Sequence, residues 1–127
     1  MYEIEGVVVL VGGIYNLAFG IYHLMFWKLF KWKEDLKNIH LVNRGIMQIL
    51  NLCLAFLFFV MAYISIFNIK DLLDTGIGKT LIISFAVFWL LRSIEQIVFF
   101  GLKSKISVIH FILFILGALI YTYPTVF

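Results

Sequence analysis

The sequence predicts an all-α integral membrane protein: four transmembrane helices in a compact up-down bundle, with both termini on the non-cytoplasmic side. Three observations carry that prediction. Hydrophobic residues make up 64% of the 127 residues before any of the nine glycines is counted, whereas soluble domains reach roughly 45 to 50% with glycine included. Only 13% of the residues are Asp, Glu, Lys or Arg, too few to cover a water-soluble globule, and the apolar content excludes disorder. The apolar residues also gather in four runs bounded by charge, each reaching the roughly 20 residues that a hydrocarbon core demands of a helix. Lipid offers free backbone N–H and C=O groups no partner, and uninterrupted runs without alternation are not barrel strands, so helices are the remaining choice.

The first helix is expected over about residues 7–30, after acidic Glu3 and Glu5. It is too long and too acidic at its start for a cleaved signal peptide, so it should be retained. The second, over 41–67, follows a connection carrying Lys28, Lys31, Lys33 and Lys37. The third, over 80–102, follows Lys70, Asp71, Asp74 and Lys79, and the fourth, over 106–124, follows Lys103 and Lys105. The excess of lysine in the first and last connections marks them as cytoplasmic, which puts both termini outside. Trp27 and Trp32 at the inner boundary, and Tyr121 and Tyr123 at the outer one, suit interfacial belts. The chain reads as one domain over 1–127 in the cell's plasma membrane. Its formal charge of +3 implies anionic headgroups beside Lys28, Lys31, Lys33, Lys37, Lys103 and Lys105 as partners, not nucleic acid. Cys53 is the sole cysteine, so no intramolecular disulfide forms.

Familiar motifs fail. The run Thr75 to Thr80 ends like a phosphate-binding loop, but the required first glycine is Leu73 and no strand precedes it. A flexible turn and a helix start fit it better. The sequence holds no paired-cysteine zinc motif, HExxH helix or nucleophile elbow.

The informative residues are those that hydrocarbon should exclude. At about 100° per residue, His40, Arg44, Gln48 and Asn51 share an arc of about 80° on the second helix. Arg92, Glu95 and Gln96 share about 100° on the third, with Phe88 intruding on the same arc. The first helix carries Gly12, Asn16, Gly20 and His23, and the fourth Ser107, His110, Gly117 and Tyr121. Counted from the flanking lysines, His23, Arg44, Glu95 and His110 lie in one layer roughly 7 to 12 Å inside the boundary. Gln48 and Gln96 extend that layer, and Arg92 reaches towards the level of Asn51 and Asn16.

Polar residues between membrane helices often serve as glue, at about 0.6 kcal/mol per hydrogen bond. Charge is harder to accommodate, at about 2.5 to 3.5 kcal/mol for each charged side chain at a helix centre. Two arginines face one glutamate, and an anionic ligand or headgroup would balance the surplus. The leading expectation is therefore binding or transport of a small anionic or protonatable solute by a homo-oligomer. In it Arg44, Arg92, Glu95, Gln96, Gln48, Asn51 and Asn16 form the binding layer, and His23 and His110 relay protons. No cofactor is predicted; a metal or haem held through His23 and His110 is the lesser reading, because nothing completes a first shell. Two alternatives stand beside it. One is a membrane-embedded enzyme acting on a lipid-like or amphiphilic substrate at the inner leaflet, although Ser93, Ser107 and Cys53 lack an evident activating arrangement. The other is an accessory or assembly subunit of a larger complex. The first-helix glycines imply close helix approach within the bundle or in a dimer, and the many phenylalanines read mostly as lipid-facing bulk.

Overall fold

The computed structural model describes residues 3–127. In chain order it contains α1 (Glu3–Leu24), two short helices α2 (Phe26–Leu29) and α3 (Trp32–Asp35), a 3-10 turn (Leu36–Asn38), α4 (Leu41–Phe67), α5 (Ile69–Asp74), α6 (Gly76–Phe100) and α7 (Lys105–Val126). Among the described residues there is no strand, and four helices, α1, α4, α6 and α7, are long and apolar enough to cross a membrane.

Local chemistry sets the helix ends. Thr75 caps α6, its hydroxyl accepting from the Gly78 amide at 2.9 Å, which starts the helix at Gly76 instead of near Thr80. The phosphate-loop-like run is thus a cap and a first turn. Gly78 is needed there because a Cβ would collide with the backbone of Asp71 and Leu72. Gly101, at φ 70°, closes α6 with its amide on the carbonyls of Gln96 and Ile97, in a positive-φ extended conformation that glycine adopts because it has no Cβ. Ser104 then caps α7 through the Ser107 amide at 3.1 Å.

The first helix stops at Leu24, short of the expected Phe30. Beyond it the chain folds back under the bundle, reversing at Lys31 with φ 53°. Phe26 packs on Phe30 and Trp32, with ring centroids 4.7 and 5.9 Å apart. The apolar character of this stretch reflects an aromatic cap on the bundle end, not a continuing helix.

Helix α1 packs along α4 and α7, and α6 packs along α7. Small residues permit the closest approaches: a Cβ on Gly13 would meet Ile66 of α4 at 2.6 Å, and one on Gly117 would meet the Tyr15 hydroxyl of α1 at the same distance. Gly12, Gly13 and Gly20 are all buried inside the bundle, so the close approach they signal is between helices of one chain. The backbones of α4 and α6 stay apart, and aromatic rings fill the space between them. Trp89 of α6 is fully buried and meets rings from every other long helix: Tyr15 and Phe19 of α1 at 4.8 and 5.0 Å, Phe58 of α4 at 5.3 Å and Phe114 of α7 at 5.8 Å. Phe19, Phe58, Phe85 and Phe114 are core residues, whereas the other phenylalanines are exposed or half-buried. Meanwhile Leu52, Phe56, Leu91, Val98 and Phe99 stand exposed around the outside.

Candidate functional site

The interior polar residues form two groups, separated along the bundle by the Trp89 ring cluster. The first lies at mid-bundle. Asn16 donates from Nδ2 to the Tyr121 hydroxyl at 2.7 Å and to the Gly12 carbonyl at 2.9 Å. The Tyr121 oxygen also lies 2.7 Å from Ser65 Oγ. All three side chains are fully buried, so Tyr121 is a core residue and not part of an interfacial belt, and a Cβ on Gly12 would strike its ring at 2.7 Å. This group fastens α1, α4 and α7 together and leaves no space for a ligand.

The second group lines a cavity of about 480 Å³ at the end of the bundle that carries the aromatic cap and the lysines. Arg92 and Gln96 enter it from α6, His23 and Tyr22 from α1, and Ser107 and His110 from α7. A hydrogen-bond chain orients the α6 pair. The Ser107 hydroxyl donates to the Gly101 carbonyl, Gln96 Nε2 donates to Ser107 Oγ at 2.9 Å, and Gln96 Oε1 is thereby left to accept from Arg92 Nη2 at 3.1 Å. The guanidinium also lies over the Phe114 ring, 4.3 Å from its centroid. Among the described residues no carboxylate oxygen comes within 4.0 Å of a basic nitrogen. Arg92 therefore has a neutral hydrogen-bond partner and a ring face, but no counter-charge at that range, and most of its five N–H donors remain unused.

The histidine tautomers follow from their partners, since a carbonyl oxygen only accepts. His110 Nδ1 lies 2.8 Å from the Ile106 carbonyl and so carries the proton; Nε2 accepts from the Tyr22 hydroxyl at 3.0 Å. His23 Nδ1 donates to Asn51 Oδ1 at 2.8 Å, and Asn51 Nδ2 returns a bond to the His23 carbonyl at 2.9 Å. That reciprocal pair fixes the His23 ring against α4 and leaves Nε2 as its basic atom. The two histidines share no hydrogen bond.

Of the sequence-predicted residues, Arg92, Gln96, His23 and His110 come together around the cavity. Asn51 stands behind His23, and Gln48 lines a smaller cleft of about 100 Å³ with Asn51 and Trp32. Asn16 belongs to the mid-bundle group. Arg44 is half-buried on α4 but lines neither space, and Glu95 is exposed on the outside of α6. The layer inferred from depth is thus divided: Arg44 and Glu95 share its height without sharing its cavity. No cluster of three His, Cys, Asp or Glu side chains suited to a metal occurs among the described residues. Sequence reasoning passed over Tyr22 and the rings of Phe19, Phe26, Phe30, Trp32 and Phe100 that wall the cavity. The signal was the helical spacing of Phe19, Tyr22, His23 and Phe26 on one side of the first helix.

The fold and site together define an all-helical bundle with membrane-length helices and a cationic, aromatic-walled pocket at one end. No family model matches the chain, and no curated protein or solved structure shows a significant match to it.

Proposed function

We propose that this chain is a multipass protein of the plasma membrane that binds a small anionic or protonatable solute in the end pocket. The observation that carries the reading is Arg92: a half-buried guanidinium facing open volume, oriented by Gln96, with no carboxylate within 4.0 Å and only the longer-range charge of exposed Glu95 to oppose its own. A charge held in such a place is stabilised by an anion that shares its low-dielectric surroundings. Membrane insertion is supported by the exposed apolar side chains around a bundle whose interior holds Asn16, Ser65, Ser93, Gln96 and Ser107, the reverse of what water solubility requires. The six lysines of the first and last connections, all exposed, support placing the pocket on the cytoplasmic side beside anionic headgroups, with both termini outside. Within one chain the Trp89 ring cluster fills the route beyond the pocket. Transport therefore calls for a pathway between copies, in a homo-oligomer.

The test uses purified protein in nanodiscs, with methyl phosphate binding read by calorimetry and its flux read in proteoliposomes. Arg92→Gln should weaken binding and flux by about tenfold or more, while Glu95→Gln, which removes only an exposed longer-range charge, changes both far less. Equal binding by Arg92→Gln and the unsubstituted chain would overturn the assignment. Binding without flux would retain the pocket and reject transport. An accessory subunit would show neither activity.

A further inference from the structure

We infer that the ligand of the end pocket is an amphiphile, its anionic head beside Arg92 and its hydrocarbon chain in a groove between α1 and α7. This rests on the anion-binding reading of the pocket and specifies the rest of the molecule. A second cavity, of about 440 Å³, lies along the α1–α7 seam and is lined by Tyr15, Ala18, Phe19, Tyr22, His110 and Leu113. It shares Phe19, Tyr22 and His110 with the polar pocket, so the two spaces adjoin at the Tyr22 to His110 hydrogen bond, 3.0 Å long. Their chemistries differ. Arg92, Gln96, His23 and Ser107 are confined to the first, and the second is walled by rings and aliphatic groups.

The groove's direction suits a lipid chain. From Tyr22 it runs back along α1 to Tyr15, about 10 Å at 1.5 Å per residue, away from the lysine-bearing end and towards mid-bundle. There the Tyr15 hydroxyl donates to the Leu113 carbonyl at 2.6 Å and ties the two helices together. Ala18 and Leu113 are exposed, which opens the groove sideways to the surroundings of the bundle. An anionic lipid in a bilayer has the same disposition, its head at the interface among lysines and its chain pointing inward. A small hydrated anion gains nothing from seven aromatic rings in the pocket wall, whereas an apolar stem entering between them does. Tyr22 and His110 mark where head meets chain, and the seam lets the amphiphile enter from the leaflet without crossing the cap of Phe26, Phe30 and Trp32.

The experiment uses the full chain in phosphatidylcholine nanodiscs with two probes: methyl phosphate, which is head alone, and monododecyl phosphate carrying a mid-chain diazirine. Photolysis of the second should label Tyr15, Ala18 or Leu113, mapped by mass spectrometry. Ala18→Phe and Leu113→Trp, both at exposed positions, should each cut that labelling by about fivefold or more while leaving methyl phosphate binding unchanged. Arg92→Gln should reduce both. Arg92-dependent binding of methyl phosphate, with dodecyl labelling scattered over α4 and α6 or indifferent to the groove substitutions, would overturn the amphiphile and keep the anion pocket. Groove labelling that ignores Arg92→Gln would overturn it as well. Loss of Arg92 dependence for both probes would overturn the pocket itself.

Discussion

The mid-bundle group and the end pocket draw on the same kinds of side chain and use them in opposite ways. At mid-bundle, Asn16 Nδ2, Ser65 and Tyr121 turn their hydrogen bonds on one another, with Gly12 letting the Tyr121 ring close over them; Asn16 Oδ1 is left buried without a partner, but packed against side chains and not facing a cavity. At the end, the internal hydrogen bonds of Gln96, Ser107 and Asn51 hold Arg92 and His23 in place and leave donor capacity aimed into open volume. Polarity inside a membrane-length bundle is therefore not in itself the mark of a site. Unspent hydrogen-bonding capacity beside a cavity is.

Substitutions break or sharpen that contrast to different degrees. Trp89→Ala removes the partition between the two regions and a ring contacted by all the other long helices; it should cost about 3 to 5 kcal/mol of stability, read by chemical unfolding in micelles. Tyr121→Phe leaves Asn16 and Ser65 buried without their partner and should cost about 1 to 3 kcal/mol, with methyl phosphate affinity unaltered. Loss of binding in that variant would erase the distinction between glue and site. Asn51→Ala frees the His23 ring from α4. It should lower stability by about 1 kcal/mol and anion affinity only a few-fold, with unchanged stoichiometry in the calorimeter.

The four long helices were legible because length and apolarity suffice to define them. Their ends were less so. The run from Phe26 to Phe30 is apolar whether it continues a helix or folds beneath one, and only the ring contacts with Trp32 decide between these. Counting from the lysines put His23 and His110 in one layer, with Gln96 extending it and Arg92 reaching further towards the middle, because height along a helix follows directly from residue number. Direction around the axis is harder. Glu95 is adjacent in sequence to Gln96, yet Gln96 is buried against α7 and Glu95 is exposed; an arc of about 100° is as wide as the packed face itself. The aromatic wall was hidden for another reason: phenylalanine suits lipid, core and pocket alike, so composition does not separate the three.

The central claim is that Arg92 faces a ligand and not merely a packing neighbour. Calorimetric titration of methyl phosphate into Arg92→Gln and Tyr121→Phe, side by side in nanodiscs, tests it most directly. The account predicts a loss of about tenfold or more in the first with little change in stability, and undiminished affinity in the second despite its lower stability. Binding that follows stability in both variants, or persists in Arg92→Gln, would contradict it.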